Sequence, residues 1–140
     1  MPELGFLPLE TFRVKLYQYY RFRTINACFL AALEISVDDH MLIIVAVDGN
    51  DVVPFKTDIV VIKPGESVDY IIFTDRPHDN YRINYITTAT SDVTGETFTS
   101  RRSTYAILNY HGVDENEIPI IRQRACSPIV PCKAVNQVFG

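Results

Sequence analysis

The sequence predicts an all-β domain, either a sandwich or a barrel, on the basis of three observations. Short β-patterned segments recur from Thr11 to Tyr110, and turn-forming residues separate them at intervals of roughly 8–12 residues. Helical periodicity is nearly absent, since only Phe29 to Glu34 has the composition of a single helical turn. The length of 140 residues favours one domain with a hydrophobic core of its own.

The first part of the chain contains four predicted strands. Thr11–Leu16, Tyr20–Ile25 and Leu33–Val37 each alternate between two sets of side chains, which is typical of a half-buried strand. Met41–Val47 is continuously apolar and rich in β-branched residues. We therefore expect this strand to be buried on both faces.

The second part continues the same pattern. Its predicted strands are Asp58–Ile62, Ser67–Thr74, Tyr81–Tyr85 and Thr104–Tyr110. Asp92–Arg102 is polar and contains Gly95, which indicates an exposed hairpin end or a loop.

Two turn signals lie in the middle of the chain. Asp48-Gly49-Asn50-Asp51 has turn chemistry, and Pro64-Gly65 closes the strand that follows it. Because a positive φ favours glycine, we expect positive φ at both Gly49 and Gly65. Asp48 to Asp69 is therefore predicted to form a tight turn, one strand and a second turn.

Composition excludes several classes of function. The formal net charge of −4 gives no basic footprint for nucleic acid. No apolar run approaches the length of a membrane span, so no membrane span is expected. Met1 to Glu10 lacks the basic start of a signal peptide, so a secreted parent protein would carry its signal upstream.

The three cysteines cannot all pair within one chain. Cys126 and Cys132 lie close together in CSPIVPC, whereas Cys28 is distant, so we expect a Cys126–Cys132 disulfide with Cys28 left over. The alternative is three reduced thiols that behave as small apolar residues. A disulfide would indicate an oxidising compartment.

The histidines form no metal-binding pattern. His40, His78 and His111 each stand alone, without a His-x-His pair or a nearby cysteine. A blue-copper site needs two histidines and a cysteine, and a trinuclear site needs several converging imidazoles. We expect no metal, cofactor or catalytic residue in this chain, and we expect His40 to be a turn histidine bonded to the backbone rather than a ligand.

Two arginines stand out within a predicted strand. Arg21 and Arg23 alternate with aromatic and apolar residues, so both lie on one face. They can contact a neighbouring domain, or pair with a carboxylate of Asp58, Glu66 or Asp69 while their stems pack on the sheet. We favour the pairing.

A series of short motifs runs through nearly the whole chain in a fixed order. These motifs are Tyr20-Arg21-Phe22-Arg23, Ile25-Asn26-Ala27, Ser36 to His40, Val45 to Gly49 with Asp51-Val52 and Pro54, Asp58, Pro64-Gly65-Glu66, Asp69-Tyr70, Asp79-Asn80-Tyr81, Ala106 to Leu108 with Tyr110 and Gly112, and Pro131-Cys132-Lys133. Each alone has low specificity, but their order and spacing together resemble the second cupredoxin-like domain of laccase-type multicopper oxidases.

The resemblance implies a cupredoxin-like Greek-key β-sandwich over residues 10–113, a lead-in segment over 1–9 and an exit linker over 114–140. It also transfers a set of structural motif residues, without assigning catalysis to any of them. These residues are Arg21, Arg23, His40, Asp48, Gly49, Pro54, Asp58, Pro64, Gly65, Glu66 and Asp69.

In that family the second domain binds no copper and lies between two copper-bearing domains. The resemblance therefore implies an extracellular oxidase whose flanking cupredoxin domains hold the copper, while this domain scaffolds them and walls part of the substrate cleft. The alternative is a non-catalytic cupredoxin-like module whose partners are copies of itself. The altered cleft favours this alternative, because Arg82 and Asn84 stand where the family has Trp and Arg beside the cleft.

Overall fold

The protein is built from two β-sheets packed face to face. The computed structural model describes residues 10–28, 30–93, 95–117 and 119. The strands in that part of the chain are β1 (Thr11–Val14), β2 (Tyr19–Ile25), β3 (Ala31–Val37), β4 (Leu42–Val47), β5 (Asn50–Thr57), β6 (Ile59–Ile62), β7 (Ser67–Phe73), β8 (Asn80–Val93) and β9 (Glu96–Tyr110).

The strands are divided between a five-stranded and a four-stranded sheet. The first has the order β1-β9-β8-β3-β6 and the second the order β2-β7-β4-β5. Strands β1 and β9 are parallel, and the other paired strands are antiparallel. This arrangement confirms the predicted all-β class. Among the described residues, no helix is long and apolar enough to cross a membrane.

The core lies between the sheets and is filled by every second residue of most strands. Its largest fully buried side chains include Tyr70, Tyr81, Tyr110, Ile35, Leu42, Ile44, Ile72, Ile83 and Leu108. Phe22 stacks on Tyr70 at a centroid distance of 5.3 Å, and Phe12 meets Phe22 edge-on at 5.3 Å. These rings join β1, β2 and β7 into one aromatic contact.

The prediction that Met41–Val47 is buried on both faces is wrong. In β4, buried residues alternate with half-buried ones, and Ile43 and Val45 belong to the half-buried set. A two-layer sandwich leaves the outer face of each sheet without a covering layer. The continuous apolar run therefore places apolar side chains of β4 on the outer face of the four-stranded sheet.

Two further local predictions fail for identifiable reasons. The segment between the two turns contains two strands, β5 and β6, rather than one. The sequence pattern did not indicate β5 because this strand contains Pro54, and proline is tolerated in it only because β5 lies at the edge of the sheet. The single helical turn that the composition of Phe29 to Glu34 allows does not form over its described part, since Ala31 to Glu34 pairs with β8 as part of β3. Pairing between strands outweighs this weak local preference.

Strands β8 and β9 form a hairpin that is longer than its sequence pattern indicates. Their pairing continues to Val93 and Glu96, and Gly95 at the turn has a φ of +81°. Asp92–Arg102 is thus the end of a hairpin, one of the two predicted alternatives.

Gly65 provides a test of backbone strain at a turn. Gly49 and Gly65 have φ values of +79° and +80°, which confirms the prediction. A Cβ added at Gly65 would meet no atom within 4 Å, so substitution there strains the backbone without a clash. We expect Gly65→Val to lower the free energy of unfolding by about 1–3 kcal/mol in urea denaturation. Gly65→Asn is the control, since asparagine tolerates positive φ better, and equal losses would contradict the explanation.

Candidate functional site

The motif residues form separate polar clusters rather than one active site. Arg21, Arg23 and Asp69 meet on the outer face of the four-stranded sheet. Pro64 to Glu66 lies at one end of the sandwich beside Asn26, and His40 lies at the other end beside Tyr110.

Asp69 is the common partner of both arginines. Strand pairing places Asp69 of β7 directly opposite Arg23 of β2. Arg21 donates from Nε and Nη2 to Asp69 Oδ2 at 3.0 and 2.7 Å, and Arg23 donates from Nε to Oδ1 at 3.0 Å. Of the three carboxylates that the sequence offers, the structure pairs the arginines with Asp69.

The cluster is buried at its centre and exposed at its rim. Asp69 is 1% exposed, whereas the side chains of Arg21 and Arg23 are 52% and 63% exposed. The hydrogen bonds from Arg23 are the main cause that holds the pKa of Asp69 below its usual range. One carboxylate balances only one of the two guanidinium groups, so the cluster cross-links β2 and β7 and presents a net positive charge to solvent.

Asn26 connects the two sheets at one end of the sandwich. Its Nδ2 donates to the carbonyl oxygens of Ala31 at 2.8 Å and Ile62 at 2.9 Å, and its Oδ1 accepts from the amide of Cys28 at 3.0 Å. Its backbone exchanges hydrogen bonds with Gly65 and Glu66. One buried amide therefore fixes the end of β2, the start of β3 and the turn after β6.

The two predicted turns are closed by acidic side chains. Asp48 Oδ1 accepts from the amide of Ser67 at 2.8 Å, and Glu66 Oε1 accepts from the amide of Lys63 at 2.7 Å. Asp48 itself has a φ of +50°. These carboxylates replace water as partners of the turn amides, which is a structural role.

Pro54 and Asp58 are the remaining motif residues in the described chain. Pro54 is exposed within the edge strand β5, and Asp58 is half-buried in the connection to β6. Neither joins the clusters around Asp69 or His40.

His40 is buried in a hydrogen-bonded aromatic cluster. Its Nδ1 lies 2.7 Å from the carbonyl oxygen of Asp38, and its Nε2 lies 2.6 Å from the hydroxyl of Tyr110. The carbonyl can only accept, so Nδ1 carries the proton and Nε2 accepts from Tyr110. The ring also meets Tyr81 edge-on at 4.8 Å. The predicted backbone bond is confirmed, and the bond to Tyr110 is one that the sequence pattern did not indicate.

Burial sets the protonation of this cluster. Desolvation lowers the pKa of His40, and it raises the pKa of Tyr110 to about 12. The imidazole is therefore neutral and the phenol is protonated at neutral pH, which matches the direction of their hydrogen bond.

The described residues do not fit a copper ion. Both ring nitrogens of His40 are engaged in hydrogen bonds, and Cys28 is an exposed free thiol near Asn26 at the opposite end of the sandwich. No group of three or more His, Cys, Asp or Glu side chains in this part of the chain is arranged to hold a metal. The predicted Cys126–Cys132 disulfide lies outside the described residues.

One pair of buried amides, Asn80 and Asn109, was not predicted from the sequence. Asn109 Nδ2 donates to Asn80 Oδ1 at 2.7 Å and to the carbonyl of Val113 at 2.9 Å. Asn80 Nδ2 donates to the carbonyls of Asp114 and Glu117 at 2.8 and 2.9 Å. This pair fixes the loop after β9. The only sequence feature that could have indicated this pair is the Asp79-Asn80-Tyr81 motif, which contains Asn80.

The fold and these motifs define a cupredoxin-like domain of the multicopper oxidase class. A family profile described as multicopper oxidase matches residues 5–113, so the chain belongs to the multicopper oxidase family. Laccase-20 of Oryza sativa subsp. japonica is 32% identical over 103 residues, which cover 74% of this chain and 17% of that protein. L-ascorbate oxidase of Cucurbita pepo var. melopepo is 39% identical over 79 residues, which cover 56% of this chain and 14% of that protein.

Solved structures agree with this assignment. The laccase from Botrytis aclada superposes with a TM-score of 0.66 at 25% identity, over 91% of this chain and 22% of that chain. The iron-import multicopper oxidase Fet3p superposes with a TM-score of 0.61 at 16% identity, over 81% of this chain and 22% of that chain, which supports the fold alone. This chain therefore spans less than a quarter of the length of these relatives.

Asp69→Asn tests the arginine cluster. The amide keeps the shape of the carboxylate but loses its charge, so the hydrogen bonds from both arginines weaken. We expect the free energy of unfolding to fall by about 2 kcal/mol, measured by chemical denaturation. Glu115→Gln, which breaks the exposed Arg13–Glu115 pair, is the matched control and should cost less because solvent screens that pair. Equal losses would show that burial of Asp69 is not the source of its effect.

His40 makes stability depend on pH. In the unfolded chain its pKa returns to about 6.5, whereas burial lowers it in the folded protein. Below about pH 6.5 the unfolded chain therefore binds a proton that the folded protein does not bind. The free energy of unfolding falls as the pH falls, until the pH reaches the pKa of His40 in the folded protein. We expect His40→Gln to flatten this part of the curve of unfolding free energy against pH. His111→Gln is the matched control, because it removes an exposed histidine at the same end that does not belong to the buried cluster. An unchanged slope in His40→Gln would exclude His40 as its source.

Proposed function

We propose that this chain is the copper-free middle domain of a laccase-like multicopper oxidase. Residues 10–113 form the domain, residues 1–9 lead into it and residues 114–140 lead out of it. The domain holds two copper-bearing cupredoxin domains at a working separation and walls one side of the substrate cleft. The intact enzyme takes single electrons from its substrates and reduces dioxygen, in an extracellular setting.

The observation that carries this proposal is the engagement of His40. This residue occupies the motif that resembles the family's histidine-bearing turn, yet both of its nitrogens are bound inside the core. His40 therefore stabilises the core through two hydrogen bonds and does not act as a metal ligand. A domain whose motif histidine is structural has a role in positioning other domains, because the chemistry needs ligands that this part of the chain does not assemble.

The Asn26 end of the sandwich supports the cleft-wall role. The loop after Asn26 begins at a residue whose side chain donates to the carbonyls of Ala31 and Ile62 and whose backbone bonds to Gly65 and Glu66, so the base of the loop is held on both sides. Ile25 and Leu30 flank this base and are 63% and 67% exposed. Exposed apolar side chains at a hydrogen-bonded loop base are suited to line a cleft shared with another domain.

The coverage of the relatives supports the presence of further domains. The matched segments make up 14–17% of rice laccase-20 and the squash ascorbate oxidase. An oxidase of that length has room for copper-bearing domains on both sides of a segment this size. The proposal therefore assigns copper, substrate oxidation and dioxygen reduction to the parent polypeptide.

Copper binding by the isolated chain is the direct biochemical test. After incubation with copper and extensive dialysis, we expect less than one copper per chain by elemental analysis, and no intense blue absorption. Cys28→Ser is the control, because the exposed Cys28 thiol can bind copper adventitiously, and residual copper should disappear with it. One tightly held copper per chain that persists in Cys28→Ser would overturn the proposal.

The full-length transcript tests the domain position. We expect it to encode a preceding and a following cupredoxin domain, with His-x-His pairs that are missing here. A complete reading frame limited to these residues would contradict the middle-domain proposal and favour the non-catalytic module.

A further inference from the structure

The outer face of the four-stranded sheet has an ordered pattern of side chains. Strand pairing aligns Arg21 with Ile71, Ile71 with Ile43, and Ile43 with Lys56. This row has a cation on each side and two isoleucines at its centre. We call it the basic row.

An apolar row lies beside the basic row, at the edge of the same face. Tyr19 pairs with Phe73, and their rings stack at a centroid distance of 4.5 Å. Met41 immediately precedes β4, two residues before Ile43, which pairs with Ile71. Tyr19 is 69% exposed and Met41 is 40% exposed, so this row presents apolar surface to solvent. Aromatic residues and methionine are enriched at protein interfaces.

The basic row keeps a positive charge after its internal pairs are counted. Arg21 and Lys56 give this row a charge of +2. The neighbouring row carries Arg23, Asp69 and Asp51, a charge of 1 − 2 = −1, so the two rows together carry +1. Lys56 forms no salt bridge within the described residues. Asp51 lies on the same sheet opposite Ala46, two pairs away from the basic row.

Two acidic loops lie at the end of the sandwich beyond Phe73, one after β7 and one after β9 of the other sheet. The loop over 75–79 begins two residues after Phe73, and the Asn80 side chain bonds the loop over 111–117 to it. Together these loops carry five carboxylates and one arginine, a net charge of 1 − 5 = −4 with neutral histidines. Counting Arg13, which binds Glu115, gives −3. We call this region the acidic end.

We propose that two copies of this chain form a two-fold dimer, in which the apolar rows pack together and each basic row faces the acidic end of the other copy. The order of basic row, apolar row and acidic end makes this surface self-complementary. A two-fold axis through the apolar row brings opposite charges together twice. A face-to-face arrangement of two basic rows would instead bring like charges together.

The proposed dimer uses only residues of this chain, so its tests and those of the middle-domain proposal can fail separately. Its apolar centre excludes water, and the charges around it fix the orientation and accelerate encounter. Salt screens the charged contacts, so the dimer should weaken as ionic strength rises.

Sedimentation of the full chain is the first test. We expect a species of twice the monomer mass at low salt that dissociates at high salt. Tyr19→Ser should raise the dissociation constant by about tenfold or more, because it removes the exposed ring from the centre. Val53→Ser is the matched control, since Val53 is 84% exposed in β5 and lies outside the apolar row. A monomer at every protein concentration would overturn the proposal.

A charge swap tests the pairing of the two surfaces. Lys56→Glu places a carboxylate in the basic row, and Asp75→Lys places a cation at the acidic end. Each variant alone should raise the dissociation constant by about tenfold, since like charges then meet at both symmetric contacts. An equimolar mixture should recover dimer formation, because the altered surfaces are complementary to each other.

Two controls separate this pairing from general charge effects. Lys63→Glu, in the turn at the opposite end, changes the net charge equally but should leave the dimer intact. Circular dichroism of each variant verifies that the sandwich is folded. If both variants are folded and their mixture does not recover the dimer, the pairing of basic row with acidic end is overturned. Species larger than the dimer would overturn it as well.

Discussion

The structure depends on one constraint, which is that polar groups buried where the chain passes between the sheets must find partners inside the protein. Asn26 meets this constraint at one end. It is 2% exposed, and its side chain bonds to backbone groups of β3, β6 and the segment that connects β2 to β3. A buried amide without such partners would destabilise the fold by the full cost of its desolvation. The geometry of this end is therefore fixed by hydrogen bonds as well as by packing.

The opposite end obeys the same constraint with different side chains. Asn80 and Asn109 hold the loop after β9, while His40 accepts from Tyr110, whose hydroxyl also accepts from the amide of Arg76 at 3.3 Å. These networks supply partners inside the protein for Asn80, Asn109, His40 and Tyr110. What remains exposed is then the outer faces, and interactions with other domains or copies must use them or the loops at the ends.

The sequence could predict most strands, because alternation reports directly which side chains face a core. It could not predict β5, since Pro54 is compatible with a strand only at a sheet edge and the edge is a property of the folded sheet. The arginine pairs show the same limit. Sequence left Asp58, Glu66 and Asp69 as partners, and only the register that puts Arg23 opposite Asp69 selects one. Likewise, the role of Tyr110 requires β9 to reach His40, 70 residues away along the chain.

The outer face of the four-stranded sheet matters for both proposals, the middle domain of an oxidase and the dimer. Its apolar row and basic row can be covered by a flanking domain or by a second copy, but one surface cannot hold both at once. Arg21 and Arg23 need Asp69 for their orientation whichever partner is present, so the cluster stabilises the sheet independently of assembly. In a long polypeptide the flanking domains are tethered, and their high effective concentration would displace a second copy from any surface that both use. Dimer formation through this face therefore belongs to the chain without such neighbours, or to a parent whose flanking domains contact only the loop ends and the other sheet.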